Sequence, residues 1–236
     1  MLNQILKKTI LYKWYRRREN ERHQLRMKNV SDAFKKEAVD VLGLFSNALN
    51  INNVSFWLCC GTLLGYYREH DFIKHDFDLD TGAWYKDRDR VRDALEKNGF
   101  ERVRYYYIQN KDGLEECYKH KDYDTTIDVF YFIEEGEYSF CYAFSPLVSM
   151  TRKCHLNRVQ PSKVIKCTWD AFSIIPVDFQ GIPVNVPQDT AHFLETQYGK
   201  NFMTPIPNYP NKGRPNMTEY TYEEMPACAF LKIGYM

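Results

Sequence analysis

No stretch of the sequence approaches the roughly 20 consecutive apolar residues that a membrane-spanning helix needs, so nothing in it is expected to cross a bilayer. Cys-x-x-Cys pairs are missing, and the cysteines are odd in number at seven. With no secretory leader pattern at the start, they fit a reduced, cytoplasmic protein better than a disulfide scaffold. Net charge is almost absent, at +1 over 236 residues, but the balance hides a split. Residues 1 to 28 hold nine of the 32 basic residues and only two of the 31 acidic ones, so the remainder is net acidic. The folded body therefore lacks the basic face of a nucleic-acid binder, and no nucleic acid is expected as a partner. Internal repeats and low-complexity tracts are absent too. No Ser-His-Asp or Cys-His arrangement has supporting local context, which argues against a covalent intermediate.

What is present is enough apolar material, 44% of residues, for one mixed domain with appendages. Residues 1–30 form a basic N-terminal segment in which Leu2, Ile5, Leu6 and Ile10 recur near helical spacing beside Lys7, Lys8, Lys13 and Arg16 to Arg18. Such a segment either lies on anionic lipid at the inner membrane surface or packs as an ordinary first helix, and both readings stand. Ser31 is placed to cap a helix carrying Phe34, Ala38, Val41, Leu42, Phe45 and Leu49, stopped by the turn formers Asn50 to Asn53. Val54 to Leu58 reads as a buried strand, followed by a helix with Thr62 as N-cap. Phe77 to Trp84 reads as a strand and Asp87 to Asn98 as a helix stopped at Gly99. Val103 to Ile108, Glu116 to Tyr118 and Thr125 to Ile133 supply further strands, with Lys111 to Gly113 as a hairpin turn. Gly181 to Pro187 is extended, and Pro187 opens a helix closed by Gly199. Four prolines between Pro205 and Pro215 mark residues 203–236 as an irregular C-terminal arm on the same domain. The fold class is α+β, with residues 31–202 as the catalytic domain.

The chemistry concentrates in Cys60–Asp80, CGTLLGYYREHDFIKHDFDLD. Asp76, Asp78 and Asp80 alternate, so in a strand all three project from one face and repel one another unless a cation sits there. Asp78-Leu79-Asp80, with an apolar residue turned inward between two acids, is how a site for Mg²⁺, or Mn²⁺ in its place, collects hard oxygen ligands. The plainer alternative is a solvated pair. A strand running through Gly61-Thr62 into a helix offers backbone N–H groups and the positive end of the helix dipole, which suit a phosphate. Asp128 is a lone acid in the apolar stretch Thr126 to Phe130; a buried aspartate is costly unless paired or metal-bound, so it either completes a three-carboxylate cage or caps a turn. His70 and His75 read as loop histidines. Tyr105 to Tyr107 either stack a base or sugar ring or serve an edge strand. Cys117, His120, Cys141, Cys154, His155 and Cys167 match no structural zinc spacing.

The stretch GTLLGYYREHDFIKHDFDLD resembles the signature of the LicD/fukutin family, and VPQDTAHFLETQYGKNF, with Pro187, Leu194, Tyr198 and Gly199, is similar to that family's later motif. Asp128 matches its third acid. The likeness covers about residues 54 to 202. It implies a nucleotidyltransferase-like mixed sheet flanked by helices, and a phosphotransferase of the CDP-alcohol type. The implied partners are a CDP-linked alcohol donor and a glycan or lipid-linked oligosaccharide acceptor, as in capsule or lipopolysaccharide assembly. Asp78, Asp80 and Asp128 would hold Mg²⁺, Gly61, Thr62 and Arg68 would bind phosphate, and Asp128 or Asp76 would serve as base. Arg68 in a surface ion pair is the plainer alternative. The chain departs from the family at Lys74 to Asp78, where members often carry a Pro before an aromatic residue and an unbroken acidic triplet. A nucleotidyltransferase that leaves the nucleotide on its acceptor, and a non-catalytic glycan-assembly partner, are the rival readings.

Overall fold

The apolar residues from Phe34 to Leu49 recur at the helical period, and all six named above are buried along one face of α1 (Ile10–Asn50). In the computed structural model, which describes residues 10–74, 76–108, 111–147, 158–206 and 213–232, this helix does not start at Ser31. It runs unbroken from Ile10, because residues 10–31 hold no Gly or Pro and many long charged side chains that favour helix. Within its front half Arg17 pairs with Glu21 at 3.0 Å, and the Arg18 guanidinium lies 4.3 Å from the ring centre of the exposed Trp14. Residues 1–9, with Leu2, Ile5, Leu6, Lys7 and Lys8, lie outside the described residues. Among those described, no helix is long and apolar enough to cross a membrane.

The chain continues through β1 (Phe56–Leu58), α2 (Cys60–Glu69), β2 (Asp78–Trp84), a 3₁₀ turn and α3 (Arg88–Lys97). Then follow β3 (Phe100–Ile108), β4 (Lys111–His120), β5 (Thr126–Glu135), β6 (Tyr138–Pro146) and β7 (Arg158–Asp170). A hairpin of β8 (Ile174–Phe179) and β9 (Ile182–Pro187) leads to α4 (Thr190–Tyr198), β10 (Met217–Tyr220) and β11 (Ala227–Leu231). One sheet runs in the order β1-β2-β5-β4-β3-β11-β7-β10. β6 pairs with β7 along its length and with the end of β5 through Ile133–Glu135, which closes β5-β4-β3-β11-β7-β6 into a barrel-like ring. β2 and β5 run parallel; the other ladders among the described residues are antiparallel.

Several expectations need correction. Lys111 to Gly113 are the start of β4, with Lys111 opposite Ile108, not the turn itself. Thr62 is the third residue of α2, whose N-cap is Cys59. Pro187 ends β9, and α4 is capped by the Asp189 carboxylate, which accepts from His192 N–H at 3.0 Å. β3 is no edge strand: it lies between β4 and β11, with Tyr105 stacked on Phe230 and Tyr106 on Phe144. The C-terminal arm is less irregular than its prolines suggest, because β10 and β11 both join the sheet. Sequence reasoning missed β6 to β8: Pro161 and the interleaved Lys and Ser residues of β7 blur its alternation, and a proline inside a strand argues against one.

The two faces of the central strands differ in polarity. On one face Leu79, Ile127, Val129 and Tyr118 enter the core with α1 and α3, and each large side chain so buried contributes roughly 1.5–3 kcal/mol. Glu116 is also on this face and fully buried, yet satisfied: its Oε1 accepts from Arg92 at 2.7 Å and Arg102 at 2.6 Å. Its Oε2 accepts from the hydroxyls of Tyr118 at 2.6 Å and Tyr131 at 2.9 Å. Removing one member of such a network strands the others. Glu116→Ala is therefore expected to cost about 3–5 kcal/mol in chemical denaturation, with an unchanged far-UV circular dichroism spectrum below the transition.

Candidate active site

The opposite face carries the acids. In the parallel β2–β5 ladder Asp80 is the register partner of Asp128, Asp128 pairs across to Cys117 on β4, and Cys117 pairs to Arg104 on β3. Asp80, Asp128, Cys117 and Arg104 thus form one row across four strands. Asp78 lies two residues before Asp80 on the same face, and Leu79 between them is buried on the other, as the alternation requires. Thr81 fixes this register by donating its hydroxyl to the Asp128 carbonyl at 3.0 Å.

The loop from β1 into α2 is tied to Asp80 three times. Cys59 N–H donates to the Asp80 carbonyl at 3.2 Å, Asp80 N–H donates to Thr62 Oγ1 at 2.8 Å, and Gly61 N–H donates to Asp80 Oδ2 at 2.9 Å. The positive end of α2 is thereby turned onto a carboxylate of the site, and the Gly61 N–H expected to meet phosphate is already engaged. Gly61 is required by close approach: a Cβ there would stand 3.0 Å from Asp76 Oδ2 and 3.1 Å from Asp80 Oδ2. Asp76 and Asp80 therefore converge at the first turn of α2.

Asp128 gives both oxygens to Arg104 Nη2, at 3.1 and 2.9 Å. Arg104 escaped the sequence reading; a basic residue inside an aromatic strand was its only mark. Buried Glu115 and Cys117 lie on the same face of β4 as this pair and act electrostatically on Arg104. Arg68 lies close enough to lower the Asp76 pKa, but its guanidinium is bonded to Glu69 at 2.9–3.0 Å and to the Phe202 carbonyl at 3.2 Å, the plainer role foreseen for it. His70 is the exposed C-cap of α2, and His75 lies outside the described residues. So do Cys154 and His155, while Cys141 and Cys167 face each other across β6 and β7.

Too little positive charge serves these acids. Burial pushes Asp76 up to about 6, with Arg68 opposing. Burial, then repulsion from Asp128 and Asp76, pushes Asp78 up to about 8 despite Arg104. Burial, then Cys60, Asp78 and Asp128, hold Asp80 well above the carboxylate range. A donor set made of clustered, under-compensated carboxylate oxygens fits a hard divalent cation. Among the described residues no three His, Cys, Asp or Glu side chains already close round one point, so binding an ion requires the carboxylates to turn toward it.

The fourth wall comes from the C-terminal half. Gln197 on α4 donates Nε2 to Cys60 Sγ at 3.4 Å. The hydrogen bond with Cys59, then Arg214 and Gln197, bring the Cys60 thiol down to about 7 against burial. Tyr198, under the Arg214 guanidinium at 4.7 Å, senses both Cys60 and Asp80.

Asp76 and Asp78 hold their protons more tightly folded than unfolded. Their contribution to stability is thus complete below the ordinary Asp value of 3.8 and is lost as pH rises through about 6 and about 8. Without added divalent cation, the melting temperature is expected to fall across that window, and Asp78→Asn is expected to flatten the fall. A melting temperature that rises between these pH values would contradict the site's electrostatics.

The sequence model described as LicD/FKTN/FKRP, nucleotidyltransferase domain, matches residues 53–189, which spans β1 to the start of α4 and includes all four acids. The chain is also 28% identical over 184 residues to the human ribitol-5-phosphate transferase FKTN, across 78% of this chain and 37% of that protein. The mouse protein of that name is 28% identical over 190 residues, across 79% of this chain and 38% of its own length. The chain thus spans less than two fifths of the relatives it matches. With the family description covering more than half of the chain and the row of acids inside it, this protein belongs to the LicD/FKTN/FKRP family.

Proposed function

We propose that the protein transfers a phospho-alcohol group, such as phosphoribitol or phosphocholine, from a CDP-linked donor to a hydroxyl of a cell-surface glycan or lipid-linked oligosaccharide, releasing CMP. The observation that carries this reading is the convergence of Asp76 and Asp80 on the first turn of α2, with Asp128 in register beside Asp80 and Asp78 two residues along the same face of β2. The fold is read as nucleotidyltransferase-like and the reaction as Mg²⁺-dependent. The front half of α1, with Arg17 and Arg18 exposed, suits contact with anionic lipid on the cytoplasmic face.

In this mechanism the acceptor oxygen attacks the phosphorus that bears the alcohol. A new P–O bond forms, the bond from that phosphorus to the bridging oxygen breaks, and CMP leaves with the electron pair. Asp78 and Asp80, with Asp128 alongside, are the residues that would hold the cation, which when bound supplies neutralising charge for the diphosphate. The hydroxyl proton needs a base. Asp76 suits this better than Asp128: its carboxyl is pushed up to about 6, near the working pH, whereas both Asp128 oxygens are engaged by Arg104. Arg104 keeps Asp128 oriented by holding both of its carboxylate oxygens. Arg214, which acts electrostatically on Cys60, and Arg68, which acts on Asp76, are guanidinium groups that suit the donor phosphates.

A donor panel tests this. CMP release from CDP-ribitol, CDP-glycerol and CDP-choline is measured with Mg²⁺, and the labelled half that reaches the acceptor is identified. The expected result is the alcohol phosphate on the acceptor and free CMP. A nucleotide on the acceptor would replace this reading with its rival. Asp78→Asn and Asp80→Asn are each expected to lower CMP release by about 100-fold or more while the protein stays folded. Gly61→Ala drives a methyl between Asp76 and Asp80, and is expected to weaken Mn²⁺ binding in calorimetry by about tenfold or more.

A further inference from the structure

Gln197 occupies the last turn of α4 with only 2% of its surface exposed. Its Nε2 is used on Cys60, but Oε1 is equally buried and accepts from nothing. Buried acceptors without a donor are rare because they forfeit their hydration for no return. This one stands next to Cys60, and Cys60 is followed by the Gly61 whose N–H holds Asp80.

We infer that Gln197 recognises the part of the donor that is not phosphate: Gln197 Oε1 accepts a hydrogen bond from a ligand O–H or N–H bound beside the acid cluster. A diphosphate at neutral pH offers only acceptors, so it leaves this oxygen unsatisfied. A ligand hydrogen is needed, and a nucleotide-linked alcohol offers it from two parts: the hydroxyls of a polyol, or the nucleoside, through its ribose hydroxyls and the exocyclic amine of the base. Gln197 is thus a specificity residue, and the inference rests on the CDP-alcohol reading above.

The test compares wild type with Gln197→Met, which keeps the volume and removes the amide. Three readouts are taken with Mg²⁺: KM and kcat for CMP release from CDP-ribitol, the same for CDP-choline, and CMP affinity by calorimetry. The variant is expected to raise KM for CDP-ribitol about tenfold with kcat within about threefold. If the nucleoside supplies the hydrogen, CMP affinity and the CDP-choline KM worsen by the same factor; if the polyol supplies it, both stay unchanged. Unchanged values throughout overturn the inference, as does a loss of Mn²⁺ affinity, which would make Gln197 a metal ligand. Wild-type protein that binds CMP but consumes neither donor defeats the transfer reading alone, and calorimetry with CMP and with CDP-ribitol then decides: equal affinities of variant and wild type for both overturn the inference. Wild-type protein that does not bind CMP overturns both. Gln197→Asn, which withdraws the oxygen by one methylene, makes the same comparison if the Met variant does not fold.

Discussion

Mutual repulsion among Asp76, Asp78, Asp80 and Asp128 is the constraint around which this molecule is arranged. Strand alternation puts Asp78 and Asp80 on one face, the parallel ladder sets Asp128 beside Asp80, and burial raises the cost of charging Asp76, Asp78 and Asp80. The protein offsets part of that cost with local devices: the Gly61 N–H and the positive end of α2 on Asp80, and Arg104 across Asp128. The remainder is left open, with Asp78 still pushed up to about 8. Charge left uncompensated at one spot is what a site for a divalent cation and a diphosphate requires.

The contrast with Glu116 sharpens the point. Both Glu116 and Asp128 are buried acids on adjacent strands, on opposite faces of the same sheet. Glu116 has two guanidinium and two hydroxyl donors, so its charge is fully answered and its role is to hold strands and α3 together. The cluster around Asp78 and Asp80 shares one Arg104 among several acids. The barrel-like closure through β6 and the return of β11 beside β3 tie the strands that carry this face into one sheet. Gly82 serves the same packing, since a Cβ there would overlap the Trp57 indole at 2.4 Å.

Much of the site was legible in the sequence because its features are local. Asp78 and Asp80, with Leu79 between them, read directly as a face of a strand, and Gly61 followed by a helix reads as a close approach; Asp76, expected on the same strand face, instead lies in the loop before β2, where its N–H donates to the Ile73 carbonyl. The isolation of Asp128 among apolar residues marked it as buried. Arg104, Gln197 and Arg214 were not legible, since each joins the site through pairing between distant segments. The same holds for β6 to β8 and for the two strands inside the C-terminal arm, whose short or interrupted alternation becomes strand only when a neighbour supplies the ladder. The start of α1 was misplaced for a different reason: Ser31 has the chemistry of a cap, but a helix already running past it has no need of one.

The most direct test of the central claim is the position of a bound divalent ion. A crystal soaked in Mn²⁺ with CMP and measured at the manganese absorption edge is predicted to show an anomalous peak between the Asp78 and Asp80 carboxylates, beside the first turn of α2. No peak there, or one bound only by surface acids such as Glu134 and Glu135, would contradict the account.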